Sequence, residues 1–380
     1  MKASRHQVVI VGSGIIGLSH AVLAREAGYS VCVYERSSRP LGASVRNFGT
    51  AWPLGCTVGP ERDQALFGVE TWKRIVAEAD IWHDPCGSLG LAYRKESWEV
   101  LCEFQQRVGV GAFELLDQAA VMRRFPLVNP SGLRGGLFSA SELVVQPTRA
   151  MAKLVQHALS LGVEFRFETP IVGVGEGKVM TSHGREHGFD HLLIAAGEEM
   201  RLLFPEALNS AGVQPCHLQM MRTGPVSRDR RIGAVLVSDL SLVHYPAFQG
   251  CPSLSSLRQR LESELAELLQ YGIHIFVAQH DDGRLTLGDS HEYGWDREPG
   301  SRQHIDELIL GGVRSLLSEP LPAVESRWVG TYLKSTKGVT QVVLHPGERV
   351  TLVAAMGGLG MTLCWGLAKR SVERWQALEC

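Results

Sequence analysis

Apolar positions along the chain fall into two kinds of run. The first is short, unbroken and rich in β-branched residues: Gln7-Val8-Val9-Ile10-Val11, Val31-Cys32-Val33-Tyr34, Leu192-Leu193-Ile194-Ala195-Ala196 and Val350-Thr351-Leu352-Val353-Ala354-Ala355. Such runs, bounded by glycine or an acid, predict parallel strands buried on both faces. The second kind has helical spacing. It covers Ile15 to Gly28, a helix opening at Val145-Gln146-Pro147-Thr148, and Leu257 to Leu269. In the last of these, Leu257, Leu261, Leu265 and Leu268 predict one acidic amphipathic helix with its leucines in the core. Val163 to Phe167 reads as a strand followed by Pro170-Ile171-Val172, a late return to the N-terminal sheet. The crowded run His274 to Ala278, and Leu285-Thr286-Leu287 followed by Gly288-Asp289-Ser290-His291, predict a second sheet of mixed or antiparallel type.

The link between the first strand and first helix is Gly12-Ser13-Gly14-Ile15-Ile16-Gly17, and the second strand ends at Glu35. Alone, G-x-G-x-x-G is a weak signal; inside a strand–helix–strand unit with an acid at the second strand's end it is a specific one. Gly12 permits the tight turn, Gly14 lets the backbone approach a pyrophosphate, and Gly17 lets helix and strand pack closely. The helix N-terminus at Ile15 and Ile16 offers N–H groups and a positive dipole end to phosphate. Glu35 can accept hydrogen bonds from both ribose hydroxyls. Arg36 would suit an NADP 2′-phosphate, but Glu35 repels that group, so Arg36 reads as lying beside the adenosine or simply solvated.

NAD and FAD share this fingerprint, and the rest of the chain separates them. Leu41-Gly42-Ala43-Ser44 is a small-residue loop suited to a second stretch of pyrophosphate. The last strand runs into Met356-Gly357-Gly358-Leu359-Gly360-Met361-Thr362, a second strand–glycine turn–helix unit at the far end of the chain. A longer cofactor held from both ends needs such a return, which points to FAD, with Val172 meeting the adenine.

Composition narrows the classes further. Charges nearly balance, with 38 Lys plus Arg against 40 Asp plus Glu, giving no reason to expect nucleic acid or a membrane surface as partner. No apolar run is long enough for a membrane span. The first strand leaves no room for a signal peptide, and the eight cysteines contain no C-x-x-C, so reduced thiols in a cytoplasmic protein are expected. His183, His187 and His191 are spaced by four, but Gly184 and Gly188 break the helix that would unite them. The other histidines are dispersed along the chain, and no metal site is expected.

The glycine units with Glu35, together with Gly42-Ala43-Ser44, Gln146-Pro147 and Ala195-Ala196-Gly197, make the chain resemble the D-amino-acid oxidase, glycine oxidase and sarcosine oxidase group of flavoproteins over nearly its whole length. Ser44-Val45-Arg46-Asn47-Phe48-Gly49, Trp52-Pro53 and His217-Leu218-Gln219-Met220-Met221-Arg222-Thr223 further resemble a subgroup often encoded beside phosphonate-degradation genes. The resemblance implies an α/β fold with a Rossmann-like, glutathione-reductase-type FAD domain formed by residues 1–85, 145–210 and 325–380. Residues 86–144 and 211–324 would form the substrate domain. It also implies oxidation of a small amine by hydride transfer to flavin, hydrolysis of the imine, and reoxidation by O2, with a quinone or carrier protein as the alternative acceptor. A flavin-binding subunit without amine chemistry is a further alternative.

Trp328 to Lys334 resembles the strand beneath the flavin ring. Related sarcosine oxidases carry a flavin-linking cysteine near it, where Gly330 stands here, so noncovalent FAD is implied. Those oxidases also place a substrate-binding lysine in the C-terminal glycine turn, and Gly360-Met361-Thr362-Leu363 has none. That departure argues against glycine or sarcosine as the best substrate and leaves anion binding to other cations; the subgroup resemblance implies an aminophosphonate such as 2-aminoethylphosphonate or its N-methyl derivative, with a glycine, sarcosine or D-amino-acid oxidase as the alternative. Arg46, beside Asn47 in the presumed flavin segment, is the leading anion-binding candidate, pairing with a structural carboxylate or with the flavin pyrophosphate being the alternative. Arg222, Lys334, His244 and Tyr245 are further candidates, each with a packing role as alternative. His217 could polarise the flavin or assist oxygen activation, or be structural.

Overall fold

The computed structural model describes residues 6–379 except 110, 112, 228–229 and 297–299. A six-stranded sheet has the order Val342–Gly347, Val350–Ala355, His191–Ile194, Gln7–Val11, Ser30–Tyr34, Glu164–Arg166. All neighbours in it are parallel except the Val342–Gly347 edge. The unbroken apolar runs are therefore its central strands, as burial on both faces requires. The helix Ile15–Glu26 covers one face together with the C-terminal helix Gly360–Glu379, against which Pro60–Glu78 packs in turn. His20 ties the first two together: its Nδ1 bonds the Ile16 carbonyl at 2.7 Å and its Nε2 the Ser371 hydroxyl at 3.0 Å.

The second sheet has nine strands. A long antiparallel pair, Val213–Pro225 with Val324–Ser335, forms its spine, and Arg284–Gly288, Phe276–Gln279, Val235–Val237 and Ser88–Ala92 follow on the other side. Val324–Ser335, grouped by the resemblance with the flavin segments, thus pairs within the second sheet. Its neighbour in sequence, Val342–Gly347, crosses back to the first. The fold is α/β with a parallel nucleotide-type sheet and a mixed second sheet.

The late strand does return to the nucleotide sheet, Glu164–Arg166 pairing with Ser30–Tyr34, and Ile171–Gly175 after it opens a separate three-stranded antiparallel sheet. One local expectation needs correction. The Leu257–Leu269 helix is two helices, Leu254–Glu264 and Ala266–Gln270, broken at Leu265 (φ −132°). No glycine or proline marks the break. It falls beside Glu264, whose carboxylate pairs with Arg94 at 2.7 Å and also with Arg260 one turn back.

One buried acid sets a pH dependence of stability. Glu142 Oε1 accepts the Leu54 N–H at 3.2 Å, but its Oε2 has no partner. Burial pushes its pKa up from the ordinary 4.5 to about 7. The folded chain keeps a proton that the unfolded chain releases above about pH 4.5, so stability falls as pH rises through 7 and levels off beyond it. Glu142→Gln is expected to remove that slope and raise stability near pH 8 by on the order of 3 kcal/mol. Denaturant unfolding near pH 5 and near pH 8 checks this, and two parallel pH profiles would refute it.

Candidate active site

The carboxyl ends of the first sheet's strands open onto a cavity of about 460 Å³ that reaches the face of the second sheet. Its lining includes Gly12, Gly14, Ile15 and Ile16 from the first glycine turn, Glu35 and Arg36, and Ala43, Ser44, Arg46 and Asn47. Val172, Ala196, Gly197, Gly330, Gly357, Gly358, Leu359, Gly360, Met361 and Thr362 complete the sequence-predicted set there. Gly17 does not line it. A Cβ on Gly17 would lie 1.9 Å from the Gly12 carbonyl oxygen, so this glycine serves the close packing of turn against helix.

Gly12 has φ +103°, and a Cβ there would lie 2.4 Å from the Ala195 carbonyl oxygen. The N-terminal turns of Ile15–Glu26 and Gly360–Glu379 both line the cavity, presenting two positive dipole ends. Ser44 Oγ accepts the Ile15 N–H at 2.8 Å and so joins the small-residue loop to the first helix. Asn47 holds its own turn, donating to the Ala43 carbonyl and accepting the Gly49 N–H. Thr362 Oγ1 accepts the Trp52 N–H at 2.9 Å, and Gly358 sits against the Tyr332 hydroxyl.

Glu35 has less capacity for ribose than expected. Its Oε2 accepts from both the N–H and the hydroxyl of Ser13, at 2.9 and 2.7 Å, and its Oε1 accepts the Ser37 N–H at 2.9 Å. A carboxylate offers about four lone-pair sites, so Oε1 retains room for one hydroxyl rather than two. The acid also builds the turn itself. Arg36 is neither free nor solvated alone: it pairs with Glu199 at 2.8 Å, and both line the cavity near Val172 and Leu202. Glu35→Gln, which can satisfy only part of this set, is expected to weaken FAD binding about tenfold. Fluorescence titration of the apoprotein checks it, and an unchanged Kd would refute the role.

At the other end the lining is Arg46, Phe48, Trp52, Leu218, Met220, His244, Tyr245, Phe276, Asp289, His291 and Tyr332. Trp52 and Tyr245 meet edge to face with ring centroids 4.6 Å apart. Arg46 has no acidic partner among the described residues, which removes the structural ion pair considered for it. Its backbone carbonyl faces Gly330, where a Cβ would come within 2.9 Å, and accepts from Trp328 Nε1 at 3.3 Å. No cysteine lines the cavity among the described residues.

Three candidates lie elsewhere. Both ring nitrogens of His217 are engaged, Nδ1 with Thr331 Oγ1 and Nε2 with the Gly294 carbonyl, each at 3.0 Å, so this histidine joins strands. Arg222 is outside the lining, its guanidinium 5.6 Å from the Trp328 ring. Lys334 bonds the Tyr293 hydroxyl at 3.1 Å, and burial lowers its pKa. The strand lines the cavity from Gly330 to Leu333, Tyr332 among them, and Lys334 lies one residue beyond.

The histidines are not all dispersed, which corrects the sequence reading. His183, His187 and His191 do stay apart, with His191 Nε2 on Glu379 at 2.8 Å. But His244, His274 and His291 converge, with ring centroids 4.2 to 4.8 Å apart. Burial holds His244 and His274 well below the usual imidazole range and His291 at about 3, and the Lys334 charge acts in the same direction. Asp289, buried beside them, is pushed well above the usual carboxylate range by burial. The three histidines come from separate segments, and only Asp289 and His291 are neighbours in sequence, so no local spacing announces the cluster.

The parallel sheet, a glycine turn from each end of the chain and a groove running to a second sheet define a dinucleotide-dependent oxidoreductase. The chain belongs to the FAD dependent oxidoreductase (DAO) family, whose model matches residues 7–374. It is 23% identical to a glycine oxidase of Bacillus licheniformis over 375 residues, 92% of this chain and 87% of that protein. Among solved structures, glycine oxidase from Geobacillus kaustophilus superposes with TM-score 0.77 at 19% identity, covering 97% of this chain and 95% of that one. L-proline dehydrogenase from P. horikoshii superposes with TM-score 0.75 at 18% identity over 97% and 93% of the two chains. No helix among the described residues is long and apolar enough to cross a membrane.

Proposed function

We propose that the chain oxidises a small primary or secondary amine bearing an anionic end, with noncovalent FAD as cofactor and O2 as electron acceptor. The observation that carries the anionic part is Arg46. Arg36 and Arg46 are the only Lys or Arg side chains lining the cavity among the described residues, and Arg36 is already paired with Glu199. A small anionic amine such as 2-aminoethylphosphonate or its N-methyl derivative matches one open guanidinium fork, which binds phosphonate or carboxylate oxygens in pairs. Phosphonate ranks first because the C-terminal glycine turn, Gly357 to Thr362, carries no lysine for a carboxylate.

The cavity fits FAD. Glu35 and the Gly12 turn suit the adenosine half, and the two helix N-termini suit its two phosphates. Gly330, Tyr332 and the Met356–Thr362 turn would hold the ring end, with no cysteine for a covalent bond. When bound, FAD supplies the two-electron acceptor. The chain's own residues then bind and orient the amine. Trp52, Phe48 and Phe276 keep the site apolar and exclude water, which favours the neutral amine that oxidation requires. The Tyr245 hydroxyl, held protonated by burial, is available there as a hydrogen-bond donor.

Anaerobic mixing with a panel of 2-aminoethylphosphonate, its N-methyl derivative, glycine, sarcosine, D-alanine and an uncharged amine tests the reading through bleaching of the flavin absorbance. Bleaching by the phosphonates ahead of the carboxylates is expected, with peroxide formed when air is admitted. If only the carboxylates react, the phosphonate half is wrong. If no amine bleaches the flavin, the whole proposal is.

A further inference from the structure

We propose that His244, His274 and His291, with the Asp289 carboxylate, form a binding site for one divalent d-block cation of the Zn2+ kind on the wall of the cavity. One nitrogen from each ring can be chosen so that all three lie within 4.8 Å of one another. Nitrogens around a tetrahedral zinc are ~3.4 Å apart, from bonds of about 2.0–2.1 Å, so side-chain adjustment of roughly an ångström closes the set.

Unspent bonding capacity is concentrated here. His274 is 2% exposed, yet neither of its ring nitrogens has a partner. Asp289 is 4% exposed, and its Oδ1 is also without a hydrogen bond, 3.5 Å from His274 Nε2. Burying polar groups without partners is costly, and a shared cation would bind one nitrogen of His274 and the Asp289 oxygen at once. The backbone already holds the pair in place: Asp289 N–H donates to the His274 carbonyl at 2.9 Å, and His274 N–H to the Asp289 carbonyl at 3.2 Å.

His291 supplies an independent sign. Its Nδ1 lies 2.9 Å from the Gly272 carbonyl. A carbonyl only accepts, so Nδ1 carries the hydrogen and Nε2 keeps its lone pair for the cluster. Orientation of a ligating imidazole through its second nitrogen in this way accompanies metal-binding histidines generally. Three imidazoles with one carboxylate suit Zn2+, Ni2+, Co2+ or Cu2+ rather than Mg2+ or Ca2+, which take oxygen sets. Lys334 is the positive charge whose field reaches all three rings, and Asp289 offsets it. His244, Asp289 and His291 line the cavity, so the site lies on its wall.

The site is independent of the substrate reading, and its test reads metal rather than turnover. The full-length FAD-loaded protein is stripped with a chelator, dialysed against Zn2+ and analysed for metal and flavin. Affinity is measured by competition with a chromogenic chelator. One Zn2+ per chain is expected, with His274→Ala and His291→Ala weakening it at least roughly 100-fold at unchanged flavin content. Should those buried substitutions fail to fold, His244→Asn at the cavity wall serves as the deciding variant, with the same expected loss. Absence of stoichiometric binding of Zn2+, Co2+ or Ni2+, or wild-type affinity in a folded histidine variant, overturns the site.

Discussion

Gly12→Ala is expected to give a chain that retains no FAD through purification. Two effects combine at this position. The backbone has φ +103°, a region that costs an L-residue roughly 1–2 kcal/mol, and the new Cβ would sit 2.4 Å from the Ala195 carbonyl oxygen. Neither atom belongs to a flexible side chain, so relief requires the strand Gln7–Val11 or the segment after His191–Ile194 to shift. Gly12 N–H also donates to the Tyr34 carbonyl at 2.8 Å, which resists that shift. Overpacking of this kind adds about 1–3 kcal/mol, and the displaced turn is the one that would cradle the pyrophosphate.

Gly28→Ala is the matched control. Gly28 has φ +100°, nearly the same backbone strain, but a Cβ there meets nothing within 4 Å. It should lose a little stability and keep its flavin. The absorbance ratio of flavin to protein in the two variants, with thermal unfolding in parallel, decides the matter. Gly12→Ala should unfold earlier still, because the stabilisation conferred by bound ligand is lost along with the ligand. A fully yellow Gly12→Ala protein would show that the turn is not the cofactor's cradle.

Arg46→Ala is expected to raise KM for an anionic amine roughly 10–100-fold, from the loss of charge-assisted bonds of about 1.5–3 kcal/mol. For an uncharged amine of similar size the change should stay within about twofold. The contrast is clean because the Arg46 backbone is held independently of its side chain, by the Ala43 turn, by Trp328 Nε1 and by the close approach of Gly330. Arg46→Lys should restore part of the affinity, since it returns the charge without the two-pronged geometry. Equal losses for anionic and uncharged amines, measured as steady-state KM and kcat, would make Arg46 a structural residue.

What could be seen in advance followed from local rules. The unbroken apolar strands, the glycine turn with Glu35 and the second glycine turn near the C-terminus each lie within a few residues, so spacing alone exposed both ends of the cavity. Local rules failed where partners come from distant segments. His217 looked available until the pairing of Val213–Pro225 with Val324–Ser335 brought Thr331 to one ring nitrogen and placed Gly294 at the other. The leucine spacing from Leu257 to Leu268 runs straight through Leu265, where the backbone breaks. Glu35 keeps room for one ribose hydroxyl rather than two, because Ser13 and Ser37 already occupy three of its lone-pair sites.

By itself, the order of residues determined the nucleotide-binding architecture and the kind of cofactor, because backbone sterics and strand burial depend on neighbours in sequence. Only the tertiary structure decided which of the candidate cations face the cavity, leaving Arg46 and withdrawing Arg222 and Lys334, and it alone brought His244, His274 and His291 together, with Asp289 beside His274. Those outcomes depend on how two sheets are threaded through one another by a chain that visits each of them several times. Side-chain convergence across such crossings leaves no periodic trace to read.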